Sequence, residues 1–205
     1  MGLALGIAGG TGSGKTALAQ TLRRRAPAMF ALLELDWYYR DQSHLALSER
    51  ECVDYDEPGA VEIDRVLEDV GRVLAGKLVD APIYDFATHT RLAETRRIEP
   101  RPVLIVEGIH ALGYPALCNL YQSSVFVDTP ADIRFIRRLQ RDMAERGRTA
   151  DSVIRQYLEQ VRPMHERWVE ATREQATLVV SGESSLEENV RMVLRLLKQK
   201  GELVL

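Results

Sequence analysis

Lysine is scarce in this chain: of 27 basic side chains among 205 residues, only Lys15, Lys77, Lys198 and Lys200 are lysines, and the rest are arginines. Acidic residues number 30 and the net charge is −3, so nothing global favours nucleic acid or an anionic membrane surface. Cysteine is nearly absent. Cys52 and Cys118 lie far apart and fit no metal-binding or redox spacing, which reads as two reduced thiols in a cytoplasmic protein. Long apolar runs are missing too, since the run from Ala26 to Leu33 is far below the ~18 residues of a membrane span. The N-terminus lacks the basic stretch of a secretory leader, and Gly6 stands where a myristoylation motif needs Ser or Thr. No internal repeat or low-complexity linker divides the chain. At 45% hydrophobic it can bury one sizeable core, and a single domain over 1–205 is expected.

What is present begins with Gly9-Gly10-Thr11-Gly12-Ser13-Gly14-Lys15-Thr16, which fits G-x-x-x-x-G-K-[ST]. The apolar run Leu3 to Ala8 before it reads as a buried strand. The segment after it, Thr16 to Arg25, has no Gly or Pro and spaces Leu18 and Leu22 by four, as a helix with one packed face requires. Glycines let the backbone turn its N–H groups inward on phosphate oxygens, and the new helix adds its positive end. Lys15 supplies a point charge to the phosphates and Thr16 a hydroxyl for Mg²⁺. A nucleoside triphosphate is therefore expected, with the acceptor left open.

Further along, Phe30 to Leu35 reads as a second strand ending at Asp36, either a turn aspartate or a carboxylate facing the ligand crevice. Ser43 to Asp56 reads as loop with a short helix. Ile63, Val66, Leu67, Val70 and Leu74 describe an amphipathic helix. The stretches 81–86 and 96–100 flank about nine polar residues and predict a projecting hairpin. Pro102 to Val106 is a strand buried on both faces, and Glu107 at its end is either a turn residue or the acidic partner of Mg²⁺. Ser124 to Asp128 is a fourth strand. The next helix starts with Thr129 as its predicted cap. On it Ile133, Ile136 and Met143 form the expected packed side, while Arg134, Arg138 and Arg141 share another face. With Arg146 and Arg148, that face reads either as solvated surface or as a lid over a phosphoryl group. A further helix is expected to break or restart at Pro163, with His165 and Trp168 as surface or packing residues. Thr177 to Val180 is a fifth strand, and Ser184 or Ser185 caps the last helix. The pattern predicts an α/β phosphate-loop NTPase fold, in which a five-stranded parallel sheet carries helices on both faces. A β-hairpin at 81–100 and a helical arginine lid at 131–150 complete it.

Taken together these residues resemble the uridine-cytidine kinase family, which sits close to the phosphoribulokinases. The resemblance rests on the phosphate loop, on Asp36-Trp37-Tyr38-Tyr39-Arg40-Asp41, on Tyr84-Asp85-Phe86-Ala87-Thr88-His89-Thr90-Arg91 and on Glu107-Gly108-Ile109. Arg137-Arg138, Arg141-Asp142, Glu145-Arg146-Gly147-Arg148 and Gln156-Tyr157 resemble that family's lid. The resemblance implies transfer of the γ-phosphate of ATP or GTP to the 5′-hydroxyl of uridine and cytidine, giving UMP and CMP. It makes Asp36 the base, helped by Lys15 and Arg141, and Asp56 a ribose ligand. It places Tyr39, Tyr84, Phe86, His89 and Ile109 around the nucleoside, and Arg138, Arg141, Arg146, Arg148 and Gln156 on the nucleoside or phosphates. Mg²⁺ is assigned to Thr16, Asp36 and Glu107. A homotetramer is expected by resemblance alone. Glu57 stands where the family often has histidine, and His110 where leucine is usual. Two other readings remain, a phosphoribulokinase-like or pantothenate-type kinase and a nucleotide-dependent regulator without an acceptor. The aromatic segment 84–89 argues against the first, and the arginine cluster against the second.

Overall fold

A computed structural model describes residues 2–50 and 52–200; the expected domain limits at 1 and 205 lie outside them. In chain order the strands are β1 (Leu3–Ala8), β2 (Phe30–Glu34), β3 (Val79–Asp85), β4 (Thr90–Ile98), β5 (Val103–Glu107), β6 (Ser123–Asp128) and β7 (Leu178–Ser181). The main helices are α1 (Lys15–Arg25), α2 (Ile63–Leu74), α3 (Ala131–Glu145), α4 (Ala150–Gln156) and α5 (Leu186–Gln199). Among the described residues five strands form a parallel sheet in the order β2-β5-β1-β6-β7, and β3 and β4 pair as a separate antiparallel hairpin.

The strands lack an apolar-polar alternation because both faces of the sheet are covered. On one side Leu5, Ile7, Ile105 and Val125 pack with Leu18 and Leu22 of α1 and Val190, Val193 and Leu197 of α5. On the other, Leu33, Leu104 and Val106 meet Val66, Val70 and Val73 of α2 together with the hairpin residues Val79 and Ala81. Each such fully buried side chain contributes roughly 1.5–3 kcal/mol. This burial fixes the strand register, in which Glu107 lies beside Ile7 on one neighbour and Glu34 on the other. The carboxyl ends of the strands therefore collect the acidic residues at one edge, where open α/β sheets hold ligands.

Three local expectations need correction, and a fourth is resolved. The polar stretch expected to loop out of the hairpin is itself strand, and only residues 86–89 turn, with His89 at φ 54°. Thr129 does not cap α3. Its hydroxyl instead donates to the carbonyl of Ser13, 3.0 Å away in the phosphate loop. Pro163 does not break its helix. The chain widens into π-turns at Tyr157–Val161 and His165–Val169, where Arg162 N–H reaches back to Tyr157 O and Glu170 N–H to His165 O. The wider turns accommodate a proline ring and its missing donor without interrupting the helix. Of the two serines proposed to cap α5, Ser185 does so, accepting from Glu188 N at 3.2 Å.

The largest correction concerns α3, which lies the other way round. Ile136 and Met143 are each 48% exposed, whereas Arg134 and Arg138 are buried at 6%. The surface beneath α3 is not apolar: it presents the Thr11 hydroxyl and the Ser13 carbonyl of the phosphate loop and a polar cleft. Arginine donors satisfy that surface, and isoleucine could not. Arg134 Nε donates to Thr129 O at 3.0 Å, and Arg137 donates to Ser13 O at 3.4 Å and Gly182 O at 3.0 Å.

Candidate active site

The phosphate loop leaves β1 at Ala8 and enters α1 at Lys15, with Gly9, Gly12 and Gly14 at φ 147°, 75° and 100°. These values belong to glycine, and at Gly12 a Cβ would stand 2.3 Å from the carbonyl oxygen of Arg134. Thr11 joins the loop to the lid, accepting from Arg138 at 3.2 Å. Ser13 N–H closes a turn on Gly10 O at 3.1 Å. Lys15 is buried, and its Nζ lies 3.5 Å from Glu107 Oε1. Thr16 Oγ1 donates to the same oxygen at 3.0 Å. Burial pushes the Glu107 carboxyl up to about 7; Lys15 pulls against this, and Asp36 and Glu34 add to it. A buried carboxylate, a hydroxyl and a nearby aspartate are hard oxygen donors of the kind Mg²⁺ takes, one or two at a time with water. Among the described residues no cluster of three His, Cys, Asp or Glu side chains makes an all-protein cage.

Beyond the loop opens a cleft of about 1190 Å³. The predicted residues Thr11, Lys15, Thr16, Asp36, Tyr39, Asp56, Tyr84, Phe86, His89, Ile109, Arg138, Arg141, Arg146, Arg148 and Gln156 all line it. Asp36 sits in the 3₁₀ turn Leu35–Tyr38 that follows β2, and accepts from Tyr39 OH at 3.3 Å. Burial and the neighbouring carboxylates hold the Tyr39 phenol well above its ordinary range, so it remains a donor. An aromatic box follows. Tyr39 meets Tyr55 and Tyr84 edge-on at 5.4 Å each, Tyr84 meets Phe86 at 5.5 Å, and Tyr55 stacks on His89 at 5.0 Å. Such a box offers flat faces to a planar ring. The lid meets the box where the Arg146 guanidinium lies 4.4 Å over the Phe86 ring. Burial, with Arg141 nearby, lowers the Arg146 pKa.

Asp56 hangs on a loop tied to the segment after β5. His110 Nε2 lies 2.8 Å from Asp56 O, and Tyr114 OH donates to Pro58 O at 2.7 Å. Because a carbonyl only accepts, Nε2 of His110 carries the proton, and burial holds this imidazole below its usual pKa. Burial likewise raises the Asp56 carboxyl, while Arg138 opposes the shift. The unusual His110 thus lies behind the cleft lining and holds the loop that carries Asp56.

Sequence reasoning missed Tyr55 and Glu34, which line the cleft, whereas Arg134, read there as part of the arginine face, backs the phosphate loop. A tyrosine in a polar loop has no periodic signal, and only its place between Asp54 and Asp56 marks it. His165 lies elsewhere, in a second cavity of about 760 Å³ between α3 and the π-turns, beside Glu170 at 3.1 Å. None of the predicted site residues lines that cavity.

The chain matches the model of the Phosphoribulokinase / Uridine kinase family over residues 4–187. It is 49% identical over 179 residues to a uridine kinase of Chloroflexus aurantiacus, covering 87% of this chain and 86% of that one. It is 43% identical over 201 residues to a uridine kinase of Bacillus anthracis, covering 96% and 95%. Its fold is similar to that of D-glycerate 3-kinase from Cryptococcus neoformans. That match has a TM-score of 0.67 at 18% identity and covers 90% of this chain and 87% of the other.

Proposed function

Since the chain belongs to the phosphoribulokinase and uridine kinase family, we propose that it is a pyrimidine ribonucleoside kinase. It transfers the γ-phosphate of ATP to the 5′-hydroxyl of uridine and cytidine, giving UMP and CMP. One observation carries the reading: a single cleft runs from Lys15 and Thr16, past Asp36, into the aromatic box of Tyr39, Tyr55, Tyr84, Phe86 and His89. A box of that kind suits a pyrimidine ring and has no use for a pentose phosphate.

In the reaction the 5′-oxygen forms a bond to the γ-phosphorus while the bond from that phosphorus to the β,γ-bridging oxygen breaks, and ADP leaves. Phosphoryl transfer needs alignment and charge neutralisation more than a strong base. Asp36 orients the hydroxyl and accepts its proton late, with Tyr39 holding the carboxylate in place. Lys15 and the phosphate-loop amides hold the transferring end, and Arg138, Arg141, Arg146 and Arg148 offset the charge that builds there, Gln156 setting two of them. Asp56 reads the ribose hydroxyls, His89 and Phe86 the base, and Ile109 packs against the nucleoside. Mg²⁺, held by Thr16, Glu107 and Asp36, would neutralise the β- and γ-phosphates. GTP can replace ATP in this scheme, because no feature of the cleft described above selects the donor base. We further assign a single domain over 1–205, a tetrameric assembly and a cytoplasmic setting.

The test is a nucleoside-diphosphate-release assay with Mg²⁺, reading ADP from ATP and GDP from GTP, against uridine, cytidine, ribulose 5-phosphate and pantothenate. Turnover with the two pyrimidine nucleosides alone is expected. Turnover with a pentose phosphate or pantothenate, and none with nucleosides, would sink the reading.

A further inference from the structure

Asp142 lies on α3, one residue after Arg141, and is wholly buried at 0% exposure. Four guanidinium groups surround its carboxylate. Arg141 donates from Nε to Oδ1 at 2.9 Å and brings its terminal nitrogen to 2.7 Å of the same oxygen. Arg138 stands 3.4 Å from Oδ2, Arg146 3.6 Å from Oδ1 and Arg148 3.9 Å from Oδ2. The backbone carbonyl of the same residue accepts from Arg146 N–H and Arg148 N–H, each at 3.2 Å, and so closes the turn that carries them. Gly147, at φ 64°, gives that turn its shape. All four arginines line the cleft.

We infer that Asp142 is the positioning residue of the arginine lid, and that it competes with the triphosphate for the groups it positions. This rests on the kinase reading above. Like charges so close repel one another, and a single buried carboxylate offsets that repulsion. The four arginines are not held equally. Arg138 also has Thr11 and Gln156, Arg148 has Gln156 and Ser152, and Arg146 lies on Phe86. Arg141 has both its close contacts on Asp142 and is the most exposed of the four, at 33% of its side chain. It is therefore the guanidinium whose direction depends most on this carboxylate. When phosphate oxygens enter, they bid for the same donors, so part of their attraction is offset by what Asp142 already holds. The same hold makes the arginines ready in direction when charge develops on the transferring group.

The two effects have opposite signs when the charge is removed, which a merely structural residue would not produce. Asp142→Asn keeps the shape. It should bind ATP about 3–10-fold more tightly by calorimetric titration, because no anion competes for the guanidiniums. Its kcat with uridine should fall by about 30–100-fold, because Arg141 loses its fixed direction. An unchanged kcat overturns the inference, and so does a kcat that falls together with ATP affinity. If Asp142→Asn does not fold by circular dichroism, Asp142→Glu decides, keeping the charge but displacing it by one methylene. A folded Asp142→Glu with kcat reduced at least tenfold and unweakened ATP binding supports the inference. Full activity in that variant, or failure of both to fold, assigns Asp142 to the fold alone and overturns it. The wild-type protein run alongside separates the two readings. If it turns over no nucleoside the kinase reading fails, while the ATP titration still tests the competition.

Discussion

The two ends of the cleft are built differently. The phosphate end is one stretch of chain: eight consecutive residues, Gly9–Thr16, running from the end of a strand into the first turn of a helix, whose donors are backbone amides and whose shape follows from glycines at 9, 12 and 14. The nucleoside end has no such stretch. Tyr39, Tyr55, Tyr84, His89, Ile109 and Arg146 come from five separate segments, and they meet only because α2, the hairpin β3-β4 and the segment after β5 pack on one face of the sheet. A backbone cradle tolerates change in its neighbours, whereas a side-chain box depends on every wall. Because every transfer passes through the phosphate end, removing one of its own groups, such as Lys15, should abolish turnover whatever the nucleoside. Variants at the nucleoside end should change which nucleoside is used and how tightly.

The sharpest break of this contrast is Lys15→Ala, which removes the buried ammonium next to Glu107. Turnover should fall by at least ~10³, with the fold retained by circular dichroism. Normal uridine phosphorylation by this variant would remove the phosphate-loop assignment. At the junction of the two ends, Asp36→Asn keeps the shape and the Tyr39 contact but cannot take a proton, so kcat should drop by ~10²–10⁴ with a smaller change in KM. A change in KM alone would make Asp36 a binding residue. At the nucleoside end, Asp56 is left without its partner when a ribose hydroxyl is missing. Uridine should be preferred over 2′-deoxyuridine by up to ~10⁴ in kcat/KM, and less if the pocket is wet. Equal efficiency on the two would release Asp56 from that role.

The smallest effect is one of stability, and it probes the strap behind Asp56. Burial depresses the folded pKa of His110 below its usual value, so below about 6.5 the unfolded chain takes up a proton that the folded ring resists. The stability present above that pH is lost as pH falls through the folded pKa. His110→Gln, which keeps a donor near Asp56 O, should lose a few degrees less in Tm between pH 7 and 5. His165 is depressed by burial in the same direction and stays in both proteins, so the difference between the curves isolates His110. Parallel curves would show that the ring is not held neutral.

Legibility followed locality. Strand and helix flanks and the phosphate loop could be read because each depends on its immediate neighbours in the chain, as could the place of Asp36 and Glu107 at or just beyond strand ends. The orientation of α3 could not. Its isoleucines and methionine carry a helical period that points inward on the usual assumption of an apolar core. Here the inner face carries the buried carboxylate of Asp142 and meets the phosphate loop and the cleft, so Arg134 and Arg138 turn in and Ile136 and Met143 turn out. Periodicity measures where apolar groups stand on a helix, and contains no term for what that helix packs against.

The side chains expected around a nucleoside came from the family resemblance; by itself the sequence determined the parallel sheet and the glycine-shaped cradle with Lys15 and Thr16. Those features rest on local backbone preference and on apolar burial, both encoded within a few residues. Tertiary structure alone decided that Tyr55 stacks on His89, that His110 ties down Asp56, that Arg146 spans lid and hairpin, and that Asp142 gathers four arginines. The physical reason is that each of these is a short-range polar or ring contact. Its strength depends on a few ångströms of placement between segments distant in the chain or on a turn's path, and no spacing along the sequence expresses that distance.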